Sequence, residues 1–227
     1  MQVLVERCLA VKLELQGVSS TNAGNEYPTY LADYAASIEA VASLVYAEKP
    51  DLRPQAAPDG TVTIMFSDIE GSTAKTEELG DQRWMEVLRE HNAIVREHLA
   101  AHEGFEVKSE GDGFMLAFQS ARKAIQCAIE TQRAFAERAE SSDVPIRVRM
   151  GLHTGEMIKE GDDFFGKHVI LAARIAAQAD GGEILVSSLL RELTASGGDI
   201  DFGEPRSVEL KGLAGVQEMF PVSWQSA

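Results

Sequence analysis

Cysteine is nearly absent from this chain of 227 residues, which has only Cys8 and Cys127. Two such distant thiols exclude a disulfide-built scaffold, and Cys127, inside a helical apolar pattern, reads as a structural thiol in a reducing compartment. Long apolar runs are missing too, since none approaches the ~18 residues that a bilayer span requires. Glu6, Arg7, Lys12 and Glu14 interrupt the first apolar stretch, which makes it a poor signal peptide. The expectation is a cytoplasmic chain with no membrane segment. Basic residues are in deficit, 21 against 36 acidic, for a net charge of −15. That deficit argues against a nucleic-acid partner, whose affinity rests on positive surface. It leaves room for a nucleotide site, where metal ions and a few cations reverse the sign locally. No Walker loop, GxGxxG fingerprint or Ser–His–Asp arrangement stands out. His91, His98 and His102 share one helical stripe, but their spacing is too wide for a zinc site and favours packing.

What is present is organised around prolines and turns. Tyr27, Leu31, Tyr34, Ile38, Val41 and Val45 alternate spacings of four and three, which predicts a helix over 27–48. A helix that pairs with a second copy and a helix packed on its own domain fit this seam equally. The pattern stops before Pro50, and Pro50 to Gly60 carries three prolines. Residues 1–57 therefore read as a helical and linker segment with a candidate dimerising helix, and 58–227 as one domain. Within that domain a strand–helix–strand unit and a hairpin recur. Asp81 and Ser120 are placed to cap helices, Ile146 to Leu152 alternates as a strand, and Glu183 to Val186 forms another. This order predicts an α+β fold with a ferredoxin-like βαββαβ core, helices on one face of a mainly antiparallel sheet.

Two acidic turns stand out. In Phe66-Ser67-Asp68-Ile69-Glu70-Gly71-Ser72-Thr73 an apolar strand over Thr61–Phe66 gives way to small residues that open a helix. Unpaired amides at such a junction suit a phosphate. In Lys108-Ser109-Glu110-Gly111-Asp112-Gly113 a hairpin carries an aspartate at its tip. Asp68 and Asp112 are 112 − 68 = 44 positions apart, so only the fold can join them. Side by side, they would suit hard divalent cations, which prefer carboxylate oxygen. Carboxylates, a phosphate-sized nest and a nearby lysine point to metal-assisted chemistry on a nucleoside triphosphate.

With Arg149-Met150-Gly151-Leu152-His153-Thr154-Gly155 and the run from Asp163-Phe164-Phe165-Gly166 to Ala172-Ala173-Arg174-Ile175, these blocks resemble the catalytic domain of class III nucleotide cyclases. The resemblance covers about Thr61 to Trp224. It implies that fold, with an additional C-terminal hairpin, and an adenylate cyclase that converts ATP to 3′,5′-cyclic AMP and pyrophosphate. It also implies two Mg²⁺ or Mn²⁺ ions per site, held by Asp68, Asp112 and the Ile69 carbonyl, with Glu70, Gly71, Ser72 and Thr73 offering amides to the triphosphate. A head-to-tail homodimer would share each site. Its partner subunit would supply Lys108 and Asp163 to read adenine, and Arg174 to stabilise charge on the reacting α-phosphate. Guanylate cyclases of the family usually carry an acidic residue at the lysine position, so Lys108 favours ATP. Lys211 resembles a phosphate-contacting lysine.

One position departs from the pattern. The family's asparagine four residues before the arginine is Ile170 here. Four helical residues turn about 400°, so Ile170 and Arg174 point within roughly 40° of each other. A branched hydrocarbon thus stands where an amide is expected, and one lost transition-state hydrogen bond costs ~10²–10³ in rate. A slow enzyme, or a catalytically weak or inactive nucleotide-binding regulatory homologue, is the alternative this implies. The hairpin lacks the Gly-Gly-Asp/Glu-Glu-Phe run of diguanylate cyclases.

Overall fold

Apolar alternation after the prolines builds a seven-stranded sheet, and the register of that sheet positions the site. The structure, a computed structural model, describes residues 36–156 and 164–225. The strands are β1 (Thr61–Ile69), β2 (Phe105–Glu110), β3 (Gly113–Phe118), β4 (Val148–Glu156), β5 (Ile184–Ser187), β6 (Arg206–Glu209) and β7 (Val216–Pro221). Their order is β2-β3-β1-β4-β5-β7-β6. The pairs are antiparallel except β4 with β5. The run β2-β3-β1-β4 is the expected ferredoxin-like core, and β6–β7 is the expected terminal hairpin. β1 continues past Phe66 to Ile69, because its ladder with β4 runs on to Asp68↔Arg149 and Ile69↔Val148. Asp68 is therefore a strand residue and not part of the turn.

Residues alternate strictly between two buried faces. On one, Met65, Phe114, Leu116, Phe118, Met150 and Leu152 pack under α2 (Ser72–Ala101) and α3 (Ala121–Ser141). α2 opens after Gly71, at φ 66°, and kinks at Gly80, at φ 74°, a conformation that costs glycine nothing. The kink restarts the helix beside Asp81, where a cap was expected. Ser120 caps α3 by accepting from the Lys123 amide at 3.3 Å. His91 is fully buried between Phe114 and Phe135, so the packing reading of that histidine holds. Cys127 is equally buried, and burial pushes its thiol up to about 12, which leaves it inert at neutral pH.

Helical cover is broader than expected. On the second face, Val62, Ile64, Phe66, Met115 and Ala117 pack under α1 (Ala36–Glu48) and α4 (Phe164–Ala176). α4 approaches closely because the strand beneath it is glycine: a Cβ on Gly151 would lie 2.1 Å from the Ala176 nitrogen. Small residues on α4 itself, Ala172, Ala173 and Ala176, complete the fit. α1 stops before Lys49, at φ 44°, which precedes Pro50. Its Ile38, Val41 and Val45 are buried against their own chain. Residues 27–35 of that seam lie outside the described residues. α5 (Ser188–Ala195) is capped by Ser187 and adds Leu190 to the first face.

Candidate active site

Register places the acidic motifs on one face. Asp68 lies two residues along β1 from Phe66 and so shares the face of α1 and α4. Lys108 pairs with Met115, Met115 with Phe66, and Phe66 with Gly151, a row across four strands on that same face. The β2–β3 register shifts between Glu106 and Lys108, and this irregularity sets the row.

The two aspartates converge. The Ile69 amide donates to Asp112 Oδ2 at 3.0 Å, which ties the hairpin tip to the end of β1. Asp68 takes a bidentate ion pair from Arg149, with Nε at 2.5 Å and a terminal nitrogen at 2.9 Å. Both partners are almost wholly enclosed, at 2% and 3% side-chain exposure. Burial pushes the Asp68 carboxyl up to about 6; Arg149 opposes the rise, while repulsion from Asp112 adds to it. Around Arg149, burial works against the charge but is outweighed by Asp68, Asp112 and Glu70, and its pKa is raised. A carboxylate this enclosed, with a second beside it, is a group whose charge a divalent cation would relieve. Two carboxylates are few for a protein-only cage but suffice for Mg²⁺, which usually takes its remaining oxygens from water and phosphate. Among the described residues no group of three or more His, Cys, Asp or Glu side chains could hold a metal ion. Asp68 and Asp112 are the described carboxylates that would hold such a cation.

The segment expected to meet phosphate is a strand-to-helix turn. Gly71 leads into α2, whose first turn at Ser72 and Thr73 has no side-chain cap. The Glu70 side chain turns away, accepting from the Gly181 amide at 3.0 Å and lying 3.7 Å from Arg147. Arg174 and Lys108 both border the α1 side of the sheet. Arg174 meets Glu39 at 3.0 Å, and Lys108 meets Glu48 at 2.7 Å. Ile170 is half-buried on the same helix as Arg174. His168 Nδ1 faces His153 Nε2 at 2.9 Å, and the His153 Nδ1 meets Ser187 Oγ at 2.9 Å, so these rings join α4 to β4 and β5. Burial, helped by His168 and Lys167, pushes His153 down to about 3. Lys211 is exposed in the β6–β7 turn, at the sheet edge opposite β2. Asp163 lies outside the described residues.

A profile of the adenylate and guanylate cyclase catalytic domain matches residues 55–223. The chain belongs to that family. Among relatives of this cyclase domain, an adenylate cyclase of Podospora anserina is 34% identical over 157 residues, which is 58% of this chain and 7% of that protein. The chain thus spans under a tenth of that relative's length. The adenylyl cyclase CyaB from P. aeruginosa superimposes with a TM-score of 0.62 at 25% identity, over 74% of this chain and 95% of that one. The guanylyl cyclase Cya2 does so with 0.64 at 26% identity, over 71% and 91%. No helix among the described residues is long and apolar enough to cross a membrane.

The sequence did not single out Arg149, Ser37, Glu39 or Glu48 as site residues. A signal for Arg149 existed: it shares a strand face with Gly151 and His153, between the apolar residues of that alternation, so its guanidinium needs a partner on the face opposite theirs. The three α1 residues carried none, because hydroxyl and acidic groups on the polar side of a helix are ordinary.

Proposed function

We propose that this cyclase domain acts on ATP, forming 3′,5′-cyclic AMP and pyrophosphate. The observation that carries the reading is the convergence of Asp68 and Asp112 from distant segments, bonded through the Ile69 amide. In the reaction the ribose 3′-oxygen forms a bond to the α-phosphorus while the bond to the bridging oxygen of the leaving pyrophosphate breaks. The 3′-hydroxyl proton passes to solvent or to a phosphate oxygen. Mg²⁺ or Mn²⁺ at Asp68, Asp112 and the Ile69 carbonyl would supply Lewis acidity. Arg149 must then release the Asp68 oxygens, which frees its guanidinium to face the triphosphate. Amides at Gly71 to Thr73 receive phosphate oxygens at the α2 terminus. Arg174 would stabilise charge developing on the α-phosphate, and Lys108 with Asp163 would read adenine.

The relatives named adenylate cyclase and the lysine at 108 support ATP; the likeness to a guanylyl cyclase keeps GTP as the competing substrate. Sites shared across a head-to-tail homodimer follow from the same reading, since Lys108 and Arg174 would serve the partner's aspartates. Mixing Asp68→Ala chains with Lys108→Ala chains should rebuild one intact site per mixed dimer. Mixed dimers that stay as inactive as either parent would refute shared sites. Ile170 favours a second reading, a nucleotide-binding homologue with little turnover, in which ATP binds without cyclic product.

A further inference from the structure

The polar side of α1 meets the chemistry of the cleft point by point. Ser37 Oγ donates to Asp112 Oδ1 at 2.6 Å. The Ile38 amide lies on the Asp68 side of the helix and favours the charged form of that carboxyl. Glu39 holds Arg174 at 3.0 Å, and Glu48 holds Lys108 at 2.7 Å. Donors face the carboxylates and carboxylates face the cations. The start of the described part of α1 stands against the two aspartates that a divalent cation would otherwise neutralise. The acidic residues occupy the two cations that phosphate and base would otherwise engage.

Packing fixes this arrangement. Ile38, Val41 and Val45 are at most 1% exposed, against Phe66, Met115, Ala117 and Ala173. A Cβ on Gly113 would lie 3.0 Å from the Ser37 carbonyl oxygen and 3.0 Å from a Val41 methyl, so α1 rests directly on the acidic hairpin. The helix returns to β1 through a segment with Pro50, Pro54 and Pro58. It therefore lies on the surface that a nucleotide, and in the proposed dimer a second copy, would have to reach.

We infer that α1 is an intrachain inhibitor of the cleft: docked, it occupies the metal-, phosphate- and base-facing groups together, and nucleotide binding requires it to leave. This rests on the cyclase reading above. Apparent affinity then equals intrinsic affinity scaled by the fraction of molecules with α1 undocked. Glu39→Lys/Glu48→Lys in the full chain sets like charges against Arg174 and Lys108 and should raise that fraction. The probe is 3′-deoxy-ATP with Mn²⁺, which lacks the attacking hydroxyl and cannot cyclise. The charge-reversed variant should bind it at least about fivefold more tightly than the parent. In the unaltered chain, hydrogen exchange at amides 38–48 should quicken when the probe is added, a readout that needs no variant to fold.

Probe binding with unchanged protection of α1, or no tighter binding by a folded variant, overturns the inhibitory role and leaves the cyclase reading standing. Failure of parent and variant alike to bind the probe, with α1 exchanging freely in the variant, overturns the cyclase reading and the inference with it.

Discussion

Replacing Arg149 by methionine separates the buried pair and tests the electrostatic description of the cleft. Asp68 ionises near 6 in place of the usual 3.8, even with Arg149 attached. That gap means the charged carboxylate costs the fold about 3 kcal/mol at neutral pH. The stabilisation from holding the proton is complete below 3.8 and is lost as pH rises through about 6, so the parent is insensitive to this group above that point. Without the guanidinium the carboxyl rises further and stays protonated at pH 7, at a cost of about 4 kcal/mol for taking up the proton. Since the parent already bears about 3 kcal/mol for this carboxyl, the proton adds about 1 kcal/mol, and with the lost guanidinium contacts the destabilisation should lie in the ~3–5 kcal/mol range for breaking a buried ion pair on one side. The variant should also keep losing about 1.4 kcal/mol per pH unit above 6, where the parent does not. Asp68→Asn/Arg149→Met removes both charges and should recover about 3 kcal/mol over the single variant at pH 7, without that slope. Urea unfolding followed by tryptophan fluorescence, from Trp84 and Trp224, at several pH values reads all three. A single variant as stable as the parent, with no new slope, would refute the reasoning.

Other perturbations follow from the same geometry. Mn²⁺ affinity should fall about tenfold per pH unit below about 6 as Asp68 takes up its proton, measured by titration calorimetry. His153, held near 3 against its usual 6.5, contributes stability that is present above 6.5 and lost as pH falls toward 3. His153→Gln should therefore remove about 1.4 kcal/mol per pH unit from the acid limb of an unfolding series between pH 6.5 and 5. Gly151→Ala would set a methyl 2.1 Å from the Ala176 nitrogen. It should cost ~1–3 kcal/mol and displace α4, with turnover falling more than stability because Arg174 moves with the helix.

Much of this fold was legible because patterns repeat. Strand alternation and the strand–helix–hairpin order fixed the core, and Ser120 supplied its own cap. Asp68 and Asp112 were legible as a pair because each sits among small residues at a strand end. The extension of β1 to Ile69 was not, since a buried aspartate reads as a stop until its cross-strand arginine is known. Nor was the second face of the sheet. The seam of Ile38, Val41 and Val45 suits a partner helix and a home sheet alike, because burial alone sets the spacing.

The most direct test is to incubate the purified chain with Mn²⁺ and either ATP or GTP and to quantify both cyclic nucleotides and pyrophosphate. The account predicts cyclic AMP and pyrophosphate in equal amounts, little or no cyclic GMP, and loss of product in Asp112→Ala. Cyclic GMP as the main product would contradict the role given to Lys108, and product that survives Asp112→Ala would contradict the paired-carboxylate site itself.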